Sequence, residues 1–296
     1  MTDGGDIIIL DGGTGSELWT RGVKVPNYKT SIWSALALME APDAVRDVHR
    51  SYFEAGADVV VANNYAVTPV LLAREGLEAR TAELTITACV LAGEARDAVG
   101  GAGRVAGSMP PLDTSFRWNL VRPFDEALPL YRRMAAAMAP HVDLIICETM
   151  STAGEGRAAA TAAAETGKPV WLGWSLGDDD GCLRGGDTVA QAVAALDGIP
   201  VEAFLFNCCA TDVITRTLPD LKALTGKPVG AYANDARVSH SQEELDAGHY
   251  DRLDPAAYAD MAAGWIELGA TIVGGCCGTG PAHIAALRAR LNPQPG

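Results

Sequence analysis

Seven cysteines occur in the 296-residue sequence, and four of them form two adjacent pairs, Cys208-Cys209 and Cys276-Cys277. Each pair directly follows an apolar run that predicts a strand, so both pairs are expected at strand ends rather than in the core. Thiolates are soft ligands that suit Zn²⁺, and three of them leave the fourth tetrahedral position open, as in catalytic zinc sites. One cysteine of the first pair and both of the second could therefore hold a zinc ion that keeps a substrate thiol deprotonated.

The cysteine pattern alone leaves a second interpretation open. Adjacent cysteines after a strand can be small buried residues, and a pair with a distant third cysteine is less specific than paired C-x-x-C motifs. Gly274-Gly275 before the second pair and Gly278 after it predict a close backbone approach that plain packing does not require, and this favours the metal site.

Eight short apolar or β-branched runs each predict one buried strand. They are residues 7–10, 58–62, 104–107, 142–147, 170–176, 203–207, 229–233 and 271–274. Helical stripes lie between them, for example Val45, Val48 and Tyr52. Eight strand–helix units without a dividing linker predict a single (β/α)8 TIM barrel that occupies residues 1–296 as one domain.

The active site of such a barrel lies at the C-terminal ends of its strands. Polar or reactive side chains follow six of the eight predicted strands. The segments concerned are Asp11-Gly12-Gly13-Thr14, Asn63-Asn64-Tyr65, Glu148-Thr149, Asn207-Cys208-Cys209, Asn234-Asp235 and Cys276-Cys277. Barrel closure would bring these residues to one rim.

These segments, in this order and over nearly the whole chain, resemble the homocysteine S-methyltransferases, a family that includes betaine and S-methylmethionine enzymes. Residues 31–35 (SIWSA), 52–58 (YFEAGAD), 232–234 (YAN) and 274–279 (GGCCGT) also carry the resemblance. The resemblance implies Zn²⁺ bound by Cys208, Cys276 and Cys277, and it gives Cys209 no role.

The resemblance also implies how the substrates are held. Homocysteine is expected to contact Asp11 and Glu148 through its ammonium group, and the backbone N–H groups of Gly12, Gly13 and Thr14 could bind its carboxylate. Asn207 is a further expected homocysteine-binding residue.

Trp33 and Tyr65 resemble donor-side aromatic residues, since aromatic faces attract cationic donors, although each could instead be ordinary loop packing. Asn234 is expected in the same methyl-donor pocket. Thr149 stands where the betaine enzyme has tyrosine, and residues 109–118 depart from the commoner glycine-rich loop, so betaine is not the favoured donor.

The function expected is methyl transfer from a cationic donor to the thiolate of homocysteine, giving methionine, with S-methylmethionine or S-adenosylmethionine as the favoured donor. The alternatives are betaine or another onium donor, a different thiol or selenol acceptor, or, in another class, a zinc-binding barrel without methyltransferase activity.

The charge and the N-terminus restrict the possible partners. A formal net charge of -14 argues against nucleic acid as a partner. The acidic N-terminus leads directly into a short apolar run, so neither a signal peptide nor a membrane span is expected there. We expect a cytoplasmic monomer or small homo-oligomer that acts on small molecules.

Overall fold

A computed structural model describes residues 7–178, 181–235 and 253–291. Its eight strands are all parallel and follow the order β1-β8-β7-β6-β5-β4-β3-β2. They are β1 (Ile8–Ile9), β2 (Val59–Val61), β3 (Arg104–Met109), β4 (Leu144–Met150), β5 (Val170–Trp174), β6 (Ala203–Asn207), β7 (Val229–Ala233) and β8 (Ile272–Gly275). Each overlaps one of the eight predicted runs, and β3 and β4 extend beyond their predicted ends.

The sheet closes on itself between β1 and β2. Leu10 forms an isolated parallel bridge with Val59, and the N–H group of Asp58 donates to the carbonyl oxygen of Ile9 at 2.7 Å. Because β1 also pairs with β8, the strands form the predicted single (β/α)8 barrel.

A main helix follows each strand. These helices are α1 (Pro42–Glu54), α2 (Thr81–Ala98), α3 (Phe124–Met138), α4 (Ala153–Ala164), α5 (Val189–Ala194), α6 (Thr211–Leu224), α7 (Pro255–Glu267) and α8 (Pro281–Leu291). Short α-helices Thr14–Thr20, Ala37–Glu40 and Pro69–Leu72 and 3-10 helices Trp33–Leu36, Ala73–Glu75, Glu78–Arg80, Trp118–Leu120 and Ala139–His141 lie in the connections. No helix in the described ranges is long and apolar enough to cross a membrane.

Local chemistry explains where α1 begins and ends. Pro42 occupies the first turn, where its missing N–H group costs no hydrogen bond. Val45, Val48 and Tyr52 form a buried stripe against the barrel. Gly56, with φ of 97°, then reverses the chain into β2, a conformation that a residue without Cβ adopts freely.

Apolar side chains fill the barrel interior, and polar side chains take over at its C-terminal end. Leu10, Ile146, Trp171, Leu205 and Ile272 belong to the interior cluster. A second, larger cluster packs the outer faces of the strands against the helices. The packed apolar interior therefore lies directly beneath the polar residues of the rim.

Glu155 is a buried carboxyl group at the start of α4, on the connection that follows β4. Its N–H group donates to the Oγ1 atom of Thr152 at 3.0 Å, and its Oε2 atom accepts from the N–H group of Ser151 at 2.8 Å. Burial raises the pKa of Glu155 to about 7, despite the opposing hydrogen bond from Ser151.

This pKa predicts a pH-dependent stability. Between the ordinary carboxyl pKa near 4.5 and about 7, the folded protein keeps a proton that the unfolded chain releases, so stability is lost as the pH rises through this window. A shift of this size corresponds to roughly 3 kcal/mol at most. Glu155→Gln should flatten this part of the unfolding curve measured with urea between pH 4.5 and 8. An unchanged slope in the variant would contradict the assignment.

Candidate active site

Cys208, Cys276 and Cys277 bring their Sγ atoms within 4.8 Å of one another, and they form the one potential metal-binding group found in the described ranges. The Cys208 and Cys277 sulfur atoms are 3.8 Å apart. A tetrahedral zinc site with bonds of about 2.3 Å places its sulfur ligands about 3.8 Å apart. The spacing and the soft donor set both fit Zn²⁺.

The barrel register holds these cysteines at one level. The N–H group of Cys208 donates to the carbonyl oxygen of Tyr232 at 3.2 Å, and that of Cys276 donates to Ala233 at 2.8 Å, so β7 connects the two cysteine segments. From α7, the Tyr258 hydroxyl donates to the carbonyl oxygen of Gly274 at 2.8 Å. The backbone of Cys208 has φ of 54°, a sparsely populated conformation for a residue with a side chain.

The pKa values of the three thiols are shifted in different directions. Hydrogen bonds from Cys208 and Cys276 lower the pKa of Cys277. The corresponding contacts with Cys208 and Cys277 raise the pKa of Cys276. Cys277 is therefore the thiol that most readily deprotonates, which is the form a metal ligand requires.

Cys209 lies outside this group. It is fully buried, and burial raises the pKa of its thiol to about 12. Its carbonyl oxygen accepts the N–H group of Asn234 at 3.2 Å. Cys209 therefore contributes to packing and to the backbone of the site.

Asp11 and Glu148 are buried carboxyl groups at the same end of the barrel, with 3% and 7% exposure. Burial is the main cause that raises the pKa of both, to about 7 for Glu148, and the charge of Glu148 also raises the pKa of Asp11. No lysine or arginine in the described part of the chain forms an ion pair with either one. A cationic ligand would relieve their mutual repulsion.

Hydrogen bonds fix the positions of both carboxyl groups. The Oδ2 atom of Asp11 accepts the N–H group of Val61 at 2.9 Å. Glu148 accepts from the Ser108 hydroxyl at 2.6 Å and from the Tyr232 hydroxyl at 3.2 Å. Ser108 and Tyr232 were not among the predicted site residues. Both lie near the C-terminal ends of their strands, β3 and β7, and Tyr232 is also part of the segment 232–234 that carries the family resemblance.

The side chain of Asn207 forms hydrogen bonds with Thr149. Its Oδ1 atom accepts the N–H group of Thr149 at 2.8 Å, and its Nδ2 atom donates to the Thr149 hydroxyl at 2.8 Å. Thr149 has φ of 61° and lies inside β4, which extends past the predicted end at Cys147 to Met150. The amide of Asn207 thus stabilises an irregular strand end next to Glu148.

The turn formed by Gly12, Gly13 and Thr14 packs against the loop after β8. The N–H group of Gly13 donates to the carbonyl oxygen of Thr279 at 2.9 Å, so this N–H group is not available to a substrate. A Cβ atom at Gly13 would lie 2.5 Å from the carbonyl oxygen of Cys276. Glycine is therefore required for the close approach of these two loops.

The glycines around the second cysteine pair also pack against the protein itself. A Cβ atom at Gly274 would lie 2.5 Å from the Cβ atom of Leu10, and one at Gly278 would clash with the carboxylate of Asp235. The expectation that plain packing does not require these glycines is wrong. They allow tight loop packing and do not by themselves indicate a ligand.

Trp33 and Tyr65, the predicted donor-side aromatic residues, are both half-buried. Trp33 contacts Tyr28 edge to face, with ring centroids 5.9 Å apart. The Tyr65 hydroxyl forms a hydrogen bond of 2.7 Å with Ser115. Burial, and to a lesser extent the nearby Cys208, raises the pKa of the Tyr65 hydroxyl.

Asn234 holds the backbone of the Cys277 segment. Its Oδ1 atom accepts the N–H group of Cys277 at 3.1 Å. Its Nδ2 atom is buried and has no hydrogen-bond partner within the described residues. The structure thus places Asn234 against the cysteine cluster, with an unused N–H donor beside it.

Asn234→Ala should weaken metal binding. Loss of the acceptor frees the Cys277 backbone, and removal of such a supporting hydrogen bond typically lowers metal affinity about 10- to 100-fold. Competition for Zn²⁺ with a chromophoric chelator measures the change. The unfolding curve of the metal-free variant controls for a general loss of structure, and an unchanged zinc affinity would contradict the prediction.

The chain is similar to known proteins over nearly its whole length. A family model described as homocysteine S-methyltransferase matches residues 8–291. The chain is 33% identical to the homocysteine S-methyltransferase of Escherichia coli (strain K12) over 98% of its own length and 97% of that protein. It is 30% identical to homocysteine S-methyltransferase YbgG of Bacillus subtilis (strain 168), with coverages of 96% and 94%.

A solved structure has the same fold over nearly its full length. The metallated form of the homocysteine methyltransferase MmuM from Escherichia coli superimposes with a TM-score of 0.82 at 31% sequence identity, and 97% of each chain is covered.

Proposed function

This chain belongs to the homocysteine S-methyltransferase family, and we propose that its methyl donor is a sulfonium, S-methylmethionine or S-adenosylmethionine, and that its metal is zinc. The observation that carries the proposal is the group of three thiols on the same rim as two buried carboxyl groups that have no cationic partner among the described residues. Homocysteine has a thiol, which a metal held by the three cysteines could activate, and an ammonium group, which the two carboxyl groups could bind.

Cys208, Cys276 and Cys277 would hold the zinc ion. A bound Zn²⁺ supplies a Lewis acid that keeps a thiol deprotonated at neutral pH, where a free thiol with a pKa of about 8.5 is mostly protonated. The metallated form of MmuM supports a metal site in the family. Asn234 and Tyr258 keep the cysteine segments in position through the backbone.

Homocysteine would be oriented by its two charged groups. Asp11 and Glu148 would receive its ammonium group, since their buried carboxylates need a positive charge. The N–H groups of Gly12 and Thr14, which have no partner in the described part of the chain, would receive its carboxylate. Asn207 would contribute indirectly by fixing Thr149 beside Glu148.

The transfer is a single displacement. The homocysteine thiolate donates an electron pair to the methyl carbon of the sulfonium, a new carbon–sulfur bond forms, and the old bond breaks with its electrons on the donor sulfur. Methionine and a neutral thioether result. Trp33 and Tyr65 would stabilise the cationic donor through their ring faces, and with Asn234 they form the proposed donor pocket.

The remaining alternatives concern the donor and the acceptor. Betaine would be a quaternary ammonium donor, and Thr149 is a small residue where an aromatic cage would need a ring. A selenol or another thiol would use the same thiol site. A zinc-binding barrel without transfer would not need the two carboxyl groups at the rim.

A donor panel with the zinc-loaded protein tests the proposal. Methionine formation from homocysteine should be fastest with S-methylmethionine or S-adenosylmethionine and much slower with betaine. Parallel reactions with selenohomocysteine test the acceptor. Zinc-replete protein that is inactive with every sulfonium, or most active with betaine, would overturn the donor assignment.

Three further expectations belong to this proposal. They are one functional domain spanning residues 1–296, a cytoplasmic location, and a monomeric or small homo-oligomeric state. Light scattering of the purified protein measures the last of these.

A further inference from the structure

Arg184 is a buried cation at the C-terminal end of the barrel, and within the described residues it makes one side-chain hydrogen bond and one ion pair, with Asp178. Its side chain, in the loop between β5 and α5, is only 9% exposed. Its Nε atom donates to the Ser175 hydroxyl at 3.0 Å. Its Nη2 atom is 3.6 Å from the Oδ1 atom of Asp178, which is too far for a hydrogen bond. Neither Nη atom has an acceptor at hydrogen-bond distance among the described residues.

The contacts of Arg184 place it beside the group of three cysteines, next to Cys208. The Ser175 hydroxyl, which accepts from Arg184, donates to the carbonyl oxygen of Cys208 at 3.3 Å. The next residue, Gly185, donates its N–H group to the carbonyl oxygen of Ser151 at 2.8 Å. Arg184 therefore lies over the ends of β4, β5 and β6.

Phe116 covers one face of the guanidinium group and connects it to the proposed donor side. The guanidinium carbon is 4.6 Å from the centroid of the Phe116 ring. Phe116 has φ of 65°, and its neighbour Ser115 forms the hydrogen bond of 2.7 Å with Tyr65. Arg184, Phe116 and Tyr65 thus belong to one connected wall of the rim.

We propose that Arg184 binds the carboxylate of the methyl donor, so that the preferred donor is an amino-acid sulfonium rather than a sulfonium without a carboxylate. This inference rests on the proposed methyl transfer and adds the part of the donor that is recognised. The planar guanidinium group matches a carboxylate through two parallel hydrogen bonds. Asp178 forms an ion pair with Nη2 at 3.6 Å, and neither Nη atom has a hydrogen-bond acceptor among the described residues. The Phe116 face holds the group in a fixed plane.

The carboxylate of homocysteine is the other possible source of this anion. The N–H groups of Gly12 and Thr14, which follow β1, are the site proposed for it above, whereas Arg184 follows β5, on the other side of the barrel. Arg184 also shares its wall with Tyr65, an aromatic residue suited to a cation. The geometry therefore favours the donor.

The test compares two donors in four proteins. The donors are S-methylmethionine and its decarboxylated analogue, (3-aminopropyl)dimethylsulfonium. The proteins are the wild type, Arg184→Ala, Arg184→Lys and the control Arg216→Ala. Arg216 is also attached to the β5–α5 loop, through a hydrogen bond of 3.2 Å to the carbonyl oxygen of Asp178, but its side chain is 54% exposed. The control therefore reports effects of loop order alone.

Arg184→Ala should lower kcat/KM for S-methylmethionine about 100-fold, as loss of a buried charge-assisted pair does. The decarboxylated donor and the KM for homocysteine should change less than about 3-fold, and Arg184→Lys should recover part of the loss because it keeps the charge without the fork. Calorimetric titration of the zinc-loaded proteins with S-methylmethionine should show the same loss of affinity. Arg216→Ala should behave as the wild type.

Equal losses with both donors would overturn the proposal and assign Arg184 to support of Cys208 through Ser175. A rise in the KM for homocysteine alone would assign it to the acceptor. If the wild type transfers no methyl group, the proposed function fails, and calorimetry still decides about Arg184. Binding of S-methylmethionine that is equal in the wild type and Arg184→Ala, or absent from both, would refute the carboxylate contact.

Discussion

Cys276→Ser should abolish both metal binding and methyl transfer. A serine hydroxyl is nearly isosteric with the thiol but does not deprotonate at neutral pH, so the site loses one of three sulfur ligands without a gross change in volume. We expect the bound zinc to fall from one equivalent to near zero and kcat/KM for homocysteine to fall roughly 1000-fold or more. Metal analysis after dialysis and a methionine-formation assay measure the two losses.

Cys209→Ala is the matched control for this substitution. Cys209 is the neighbour of Cys208, yet its sulfur lies outside the group of three and its thiol is fully buried. The control variant should keep its zinc and most of its activity. Methyl transfer by zinc-free Cys276→Ser protein would refute the role assigned to the metal.

Glu148→Gln should weaken homocysteine binding while the metal stays in place. The amide keeps the shape of the side chain. Its oxygen can accept from one of the two hydroxyls that bind Glu148, Ser108 or Tyr232, while its NH2 group donates to the other, but the charge that faces the substrate ammonium is removed. Loss of one partner of a buried charge pair costs about 2–5 kcal/mol, so kcat/KM should fall at least about 30-fold. Steady-state kinetics with homocysteine measures the change.

A substrate without the ammonium group separates a binding role from a structural one. The wild type should prefer homocysteine over its desamino analogue 4-mercaptobutyrate, and Glu148→Gln should lose this preference. Glu155→Gln is the control, because Glu155 is similarly buried but, among the described residues, accepts a hydrogen bond only from the backbone N–H group of Ser151, just before α4. A variant that loses activity equally with both thiols would show that Glu148 supports the fold rather than the ammonium group.

The strands were predictable because their signals are local. A short β-branched run followed by a helical stripe depends on neighbouring residues only, and β6 and β7 have the bounds expected from the sequence. The end of β4 was not predictable. It extends to Met150 because the amide of Asn207, which lies 58 residues away, fixes Thr149 in an unusual conformation.

The glycine pattern shows the limit of a local interpretation. Gly274 and Gly278 correctly indicated a close approach, but sequence does not tell a ligand from another loop of the same chain. The structure shows Leu10 and Asp235 in those positions. Arg184 was missed for the opposite reason, since a single arginine in a polar loop gives no signal until the fold buries it between Ser175 and Phe116.

By itself, the sequence determined the barrel, the rim on which the site lies and the residue types that suit a zinc-activated thiol, because strand periodicity and cysteine chemistry are properties of short segments. The spacing of the cysteines did not establish which thiols meet, which only the family resemblance implied, and the tertiary structure shows these three together and Cys209 apart from them. Only the tertiary structure decided which groups hold Glu148, Thr149 and Cys277. Those contacts join residues from different strand–helix units, and the closure of the barrel, rather than the spacing along the chain, sets the distances between them.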